Sequence, residues 1–288
     1  MSSPETAPTV DPAATIVLLA EDAPPPDIFL VRRHAKSAFM ANAWVFPGGR
    51  LDVLDFDQRA FARLDGVDAA RLVARMHGVS EVDVARALVV CALRETFEEA
   101  GVLLGTMADG SPLDEERVTA LASARAELLA GEISFPRLLA DLDLRLDGGG
   151  LVYFDHWITP PLEKRRFDTR FFVARTPSGQ SPRHDEGETT ASTWLSASAA
   201  LERHASGELG LAPPTFWILG ELARHTDAES ALGWAAARDV PPILPAIVPV
   251  GDALCVALPG DPLHPAPAAE VARPRRVVWS ERSWTREG

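Results

Sequence analysis

The segment RETFEEAGV, residues 94 to 102, constrains this chain more than any other stretch. The preceding ARALVVCAL carries Val89, Val90 and Leu93, continued by Phe97, a helical spacing that buries one face. Glu95, Glu98 and Glu99 then share the other face, where i, i+3 and i, i+4 neighbours stand about 5–6 Å apart and like charges repel. Gly101 suits the left-handed residue that closes a helix, so the three carboxylates also crowd the negative end of the helix dipole. Two local preferences are broken at one place, and a bound divalent cation is the simplest compensation. Arg94, four residues ahead of Glu98, is placed to orient a carboxylate.

The rest of the chain sets the frame. Its 288 residues, 47% hydrophobic and 24% charged, suit one large globular domain or a domain with an extension. The first dozen residues, MSSPETAPTVDP, read as a loose tail without the marks of a signal peptide. No apolar run approaches the ~20 residues that span a bilayer, so no membrane is expected and the cytoplasm is the expected compartment. Two cysteines, Cys91 and Cys255, provide neither a disulfide framework nor a zinc site. A formal net charge of -13 argues against nucleic acid as a partner, because polyanions are held by phosphate neutralisation. A small anionic substrate remains admissible where arginines or metal ions receive it. A homodimer is left open.

Strands are expected at ATIVLLAED and DIFLVRR, joined through Pro24 to Pro26, with a third ending in WVFPGG. Residues 51 to about 80 read as an inserted helical segment, and Ser80 with Asp83 resembles a capping box for the acidic helix. LDEERVTALASARAELLAGE reads as a further helix, LVYFDHWITP and RRFDTRFFVAR as strands, and WLSASAALERHASG and PPTFWILGELARH as later helices. Beyond Thr226 a proline-rich extension contains three short strand candidates, ILPAIVPV, ALCVALPG and RRVVWSE.

RETFEEAGV resembles the second half of the Nudix box, with Arg94, Glu95, Phe97, Glu98, Glu99, Gly101 and Val102 on its specified positions. Gly49 of FPGGRLDVLD looks like the opening glycine, and Asp55 stands where the family has glutamate. The box arginine is at 94 rather than 63, so the box is split by an insertion, and this leaves the part of Asp55 in the site open. The resemblance implies an α/β (α+β) Nudix fold, a mixed sheet sandwiched between helices. The domain would cover residues 13–225, after a tail of 1–12 and before a C-terminal extension of 226–288, with its insertion at about 53–80.

It further implies metal-dependent hydrolysis of a nucleoside diphosphate linked to another group, with Mg²⁺ or Mn²⁺ held by Glu95, Glu98 and Glu99 and with Glu98, Glu99 and Arg94 as catalytic residues. Oxygen donors of this kind suit hard cations. Glu188 resembles a downstream acid that some members use. Gly48 and Gly49 allow close backbone approach, and Arg32, Arg33, Arg166 and Arg170 are candidates for holding the diphosphate. The split box and RRFDTRFFVA are similar to the peroxisomal coenzyme A diphosphatase branch, which implies CoA or acyl-CoA as substrate, with the arginines of EKRRFDTR as candidates for its 3′-phosphate and the apolar ILPAIVPV for its pantetheine arm. An ADP-ribose or ADP-sugar pyrophosphatase is the alternative, and a non-catalytic Nudix-fold nucleotide-binding regulator is the alternative of another class. The insertion is expected to fold as a flap beside the substrate mouth.

Overall fold

The apolar run of β1 (Val10–Leu19) is buried on both faces over its last seven residues, as suits a central strand with helices above and below. Its even-numbered side chains Ala14, Ile16 and Leu18 enter one hydrophobic cluster, and Val17 and Leu19 enter a second. The computed structural model describes residues 9–20, 24–35, 40–185, 187, 189–251, 253–266, 275–280 and 283–287. The expected tail therefore lies largely outside the described residues, and β1 begins three residues before the expected domain start at 13.

β2 (Asp27–Arg33) meets the end of β1 antiparallel at Leu19 and Ile28. The single strand expected through WVFPGG is two: β3 (Trp44–Val45), on β2, and β4 (Gly48–Arg50), on β1. Between them Pro47, which has no N–H to give, accepts from Ile16 N at 3.0 Å. The insertion contains a 3-10 turn over Val53–Phe56, α1 (Gln58–Phe61), β5 (Leu64–Asp65) and α2 (Ala69–Arg75). The acidic helix is α3 (Val82–Ala100). Its cap is Glu81, without a side-chain bond, so the capping box read at Ser80 and Asp83 does not form. Its end is as expected: Gly101 takes φ 69° and its N–H donates to Phe97 O at 2.9 Å.

Next come β6 (Gly105–Met107), α4 (Glu115–Leu129), α5 (Phe135–Asp141), β7 (Leu144–Asp147), β8 (Val152–Ile158), β9 (Arg166–Arg175) and β10 (Thr189–Ser196). They are followed by α6 (Ala197–Ala205), α7 (Pro213–Leu222) and α8 (Ala228–Ala237). The last was not foreseen, because prolines dominate the sequence after it. β11 (Ala246–Val250), β12 (Ala253–Ala257), β13 (Arg276–Ser280) and β14 (Ser283–Glu287) form an antiparallel sheet in that order.

The main sheet runs β10-β2-β1-β9-β8, with β3 and β4 off this path. It is mixed: β9 lies parallel to β1 from Val10–Arg166 to Leu19–Arg175, and the other strand pairs are antiparallel. α3 packs under its even face, and α6, α7 and α8 contribute to the cluster on the odd face. The insertion is woven into the body, since β5 pairs parallel with β7, which pairs with β6, and α2 packs on α3.

Gly101 sits where an added Cβ would lie 2.9 Å from Arg125 Nη1, in a backbone conformation that disfavours side chains. Gly101→Ala should lower unfolding free energy by about 1–2 kcal/mol. Urea denaturation measures this, and an unchanged midpoint would contradict the role given to this residue.

Candidate active site

The last two turns of α3 place Glu95, Glu98 and Glu99 against β4, and Arg94 organises them. Its Nη1 donates to Glu95 Oε1 at 2.8 Å and to Glu98 Oε2 at 2.9 Å. Its Nε and Nη2 grip Asp55 from the other side, at 2.8 and 3.0 Å, and Nη2 also reaches Arg50 O at 3.1 Å. Asp55 is 1% exposed, so this residue at the start of the insertion belongs to the scaffold of the site although the rest of the insertion separates it from the helix. Burial works against the Arg94 charge, yet Asp55 and Glu95 raise its pKa above the ordinary arginine value.

The glycine pair sets the distance of closest approach. An added Cβ at Gly49 would sit 2.4 Å from the Glu95 carboxyl group, and one at Gly48 would sit 2.3 Å from Thr15 Oγ1. Gly48 N–H donates to Glu99 Oε2 at 2.9 Å. On the far side of the helix end, Arg125 of α4 donates to Glu98 O from Nε and Nη2, at 2.9 and 2.7 Å, which opposes the crowding of negative charge there. Cys91, buried one turn before Arg94, has its thiol pushed up by burial and serves as packing.

These groups border a cavity of about 700 Å³. Arg94, Glu95, Glu98, Glu99, Gly48, Gly49 and Arg33 all line it. Arg32 does not; its guanidinium reaches Asn42 Oδ1 at 3.4 Å on the exposed side. Arg166 and Arg170 share a face, as alternation implies, but the cavity lies on the opposite face, lined by Phe167, Thr169 and Phe171. Arg170 is buried, paired with Asp168 and donating to His77 O at 2.8 Å, so it ties the insertion to the sheet. Arg166 Nε donates to Thr159 O at 3.1 Å. Glu188 lies outside the described residues.

Two groups were missed, Arg50 and Asp185. Arg50, next to the glycine pair, lines the cavity, and so does Arg165 of EKRRFDTR, whose odd number matches Phe167 and Thr169. Asp185 lines it from the segment before β10, which is clamped to the end of α3 by Gln180 on Leu103, at 2.9 and 2.8 Å, and by Arg183 N–H on Ala100 O at 2.8 Å. The expected flap is overturned: among the described residues, none from 53 to 80 lines the cavity. The physical reason is the pairing of β5 with β7 and the packing of α1 and α2 on the even-face helices.

The carboxylates fit a hard cation. Burial pushes Glu95 up to about 7, with repulsion from Glu98 and Asp55 added and Arg94 opposing, so a proton is held where a cation would compete for the same oxygens. As placed, no group of three or more His, Cys, Asp or Glu side chains among the described residues stands in a position to hold a metal ion, so the fit is one of donor chemistry. Arg94 Nη1 draws Glu95 and Glu98 to itself instead.

A mixed sheet between helices, with a glutamate row fixed over a glycine pair by its own arginine, is the centre of the Nudix hydrolases. More narrowly, the model of the NUDT19 Nudix domain matches residues 11–224, and the chain belongs to that family. Acyl-coenzyme A diphosphatase NUDT19 of Homo sapiens is 32% identical, over 88% of this chain and 80% of its own length. The protein of that name in Xenopus laevis is 26% identical, over 88% and 75%. The crystal structure of a NUDIX hydrolase from Alicyclobacillus acidocaldarius is 31% identical and superimposes with a TM-score of 0.59, covering 78% of this chain and 96% of that one.

Glu95 makes stability depend on pH in the metal-free protein. Between pH 4.5 and 7 the folded carboxyl keeps a proton that the unfolded chain has released, so its contribution falls as pH rises, by up to about 3 kcal/mol. In chelator, wild type should therefore lose stability relative to Glu95→Gln across that window, as read by urea titrations at pH 5 and 7.5. A difference independent of pH would refute the assignment.

Proposed function

We propose that the protein hydrolyses the diphosphate of CoA or an acyl-CoA with Mg²⁺ or Mn²⁺, releasing 3′,5′-ADP and 4′-phosphopantetheine or its acylated form. One observation carries this reading: the Arg94-centred carboxylates, three further arginines and a set of apolar side chains line the same cavity. Such a cavity suits a substrate with a diphosphate, a further phosphate and an apolar arm. The names of the human and Xenopus laevis relatives support the choice of substrate.

Glu95, Glu98 and Glu99 would hold the cation, which when bound polarises a phosphoryl oxygen and lowers the pKa of water. The chain's own residues do the remaining work. Arg94 fixes the spacing of Glu95 and Glu98, and the Gly48 N–H orients Glu99. A carboxylate of this row takes the proton of the attacking water as its oxygen joins phosphorus and the anhydride P–O bond breaks. Arg33 and Arg50 neutralise the diphosphate, and Arg165 receives the 3′-phosphate at the rim, where it is exposed. Among the described residues, no helix is long and apolar enough to cross a membrane. Two buried free thiols favour the cytoplasm as the compartment.

Glu98→Gln and Glu99→Gln should each lower kcat about a hundredfold or more at saturating Mg²⁺ or Mn²⁺, with thermal melts in chelator unchanged or slightly higher. Near wild-type turnover in either variant would mean that the site is misassigned. For the substrate, kcat/KM for CoA should exceed that for dephospho-CoA and ADP-ribose at least about tenfold, roughly 1.4 kcal/mol, and Arg165→Ala should erode the first ratio. Preference for ADP-ribose would favour the pyrophosphatase alternative.

A further inference from the structure

The family match ends at residue 224, but the cavity wall does not. Pro245, Ile247 and Val256 line the same cavity as the glutamates, and all three come from the C-terminal extension. The chain reaches them by extending the main sheet. Ile243 bridges Trp157 in parallel, with Ile243 N–H donating to His156 O and Ile158 N–H to Ile243 O, both at 2.8 Å. Residues 245 to 247 follow directly, and β12 brings Val256 opposite Ile247.

This placement sets a distance. From β4, where Gly49 touches Glu95, the sheet passes through β1, β9 and β8 to the segment at Ile243. Four strand spacings amount to roughly 19 Å. A pantetheine arm between phosphate and sulfur has about four peptide-residue lengths of chain, a reach of about 14 Å. A CoA whose diphosphate lies at the carboxylates and whose arm follows this line brings its sulfur about as far as β8, roughly three strand spacings away, where Trp157 stands, and a thioester acyl chain would continue onto Pro245, Ile247 and Val256. Trp157, Phe171 and Pro214 are further apolar members of the same lining.

The wall is also held firmly. Trp284 donates from its backbone N–H to His204 Nε2 at 2.7 Å and from its indole to Leu211 O at 3.0 Å, and Arg286 pairs with Glu221 while its guanidinium lies 3.8 Å from the Trp217 ring centre. Val256, Leu258 and Val277 complete the odd-face core. The sheet β11–β14 is thus anchored to α6 and α7, with one edge turned to the cavity.

We infer that the C-terminal sheet is the acyl-specificity element of this enzyme, with Ile247 and Val256 forming the seat of the substrate's acyl chain. This rests on the CoA reading above. The test uses the full chain with Mg²⁺ and compares CoA with octanoyl-CoA, products being identified by mass, for wild type, Ile247→Trp and Ile247→Ser. Filling the seat should lower the octanoyl-CoA to CoA ratio of kcat/KM at least about fivefold, and Ile247→Ser, which keeps the space but removes apolar surface, should lower it in the same direction. A ratio unchanged in both variants, or equal losses for both substrates, overturns the inference while leaving CoA hydrolysis standing. Wild type that cleaves ADP-ribose but neither thioester nor CoA removes the functional reading itself, and this inference with it.

Discussion

Arg94 is the charge around which the site is arranged. Its guanidinium faces Asp55 with two parallel bonds and Glu95 and Glu98 with a third nitrogen, in a setting where little water competes. Without it, three glutamates at the negative end of a helix would repel each other and seek solvent. Breaking a buried pair of this kind leaves a charge without compensation. The same side chain bonds Arg50 O, so helix, glycine strand and insertion converge on one group.

That convergence explains how the box tolerates being split. Lengthening the connection between Asp55 and Arg94 adds loop-closure entropy only logarithmically, roughly 1.5 kcal/mol for a fivefold longer connection. The insertion recovers order of its own through β5 on β7 and α2 on α3, and Arg170 ties its His77 carbonyl to β9. Residues 53 to 80 therefore leave the cavity alone, and part of its wall comes from the other end of the chain, at Pro245, Ile247 and Val256.

The two faces of the sheet divide the labour. Even-numbered side chains of β1 and β9 meet the helices that support the glutamate row, and odd-numbered ones face the cavity and the C-terminal half. Arg165 and Arg166 are chain neighbours with different fates for this reason: the first reaches the cavity, the second bonds Thr159 O. A register slip of one residue along β9 would exchange the two sets, and the ten-residue parallel ladder with β1 prevents it.

The acidic helix, its arginine, its closing glycine and the paired glycines of the preceding strand were legible in the sequence because each depends on local spacing: 3.6 residues per turn, a left-handed closing residue, and a backbone that tolerates no Cβ. β1, β2, β8 and β9 of the main sheet were legible from their apolar runs, whereas β10 was not, its residues 194 to 196 reading as part of the helix that follows. What only the tertiary structure decided were the non-local questions. Strand alternation says that Arg166 and Arg170 share a face but not which face the cavity occupies. The cap at Glu81, the helix Ala228–Ala237 and the burial of Asp55 against Arg94 depend on packing partners distant in the chain. ILPAIVPV reads in the sequence as an apolar stretch that could meet a pantetheine arm, but no local pattern sets its Ile247 beside Val256 in a cavity wall. It becomes a wall because Ile243 adds to the sheet edge beside Trp157, a pairing between segments more than eighty residues apart that no local periodicity encodes.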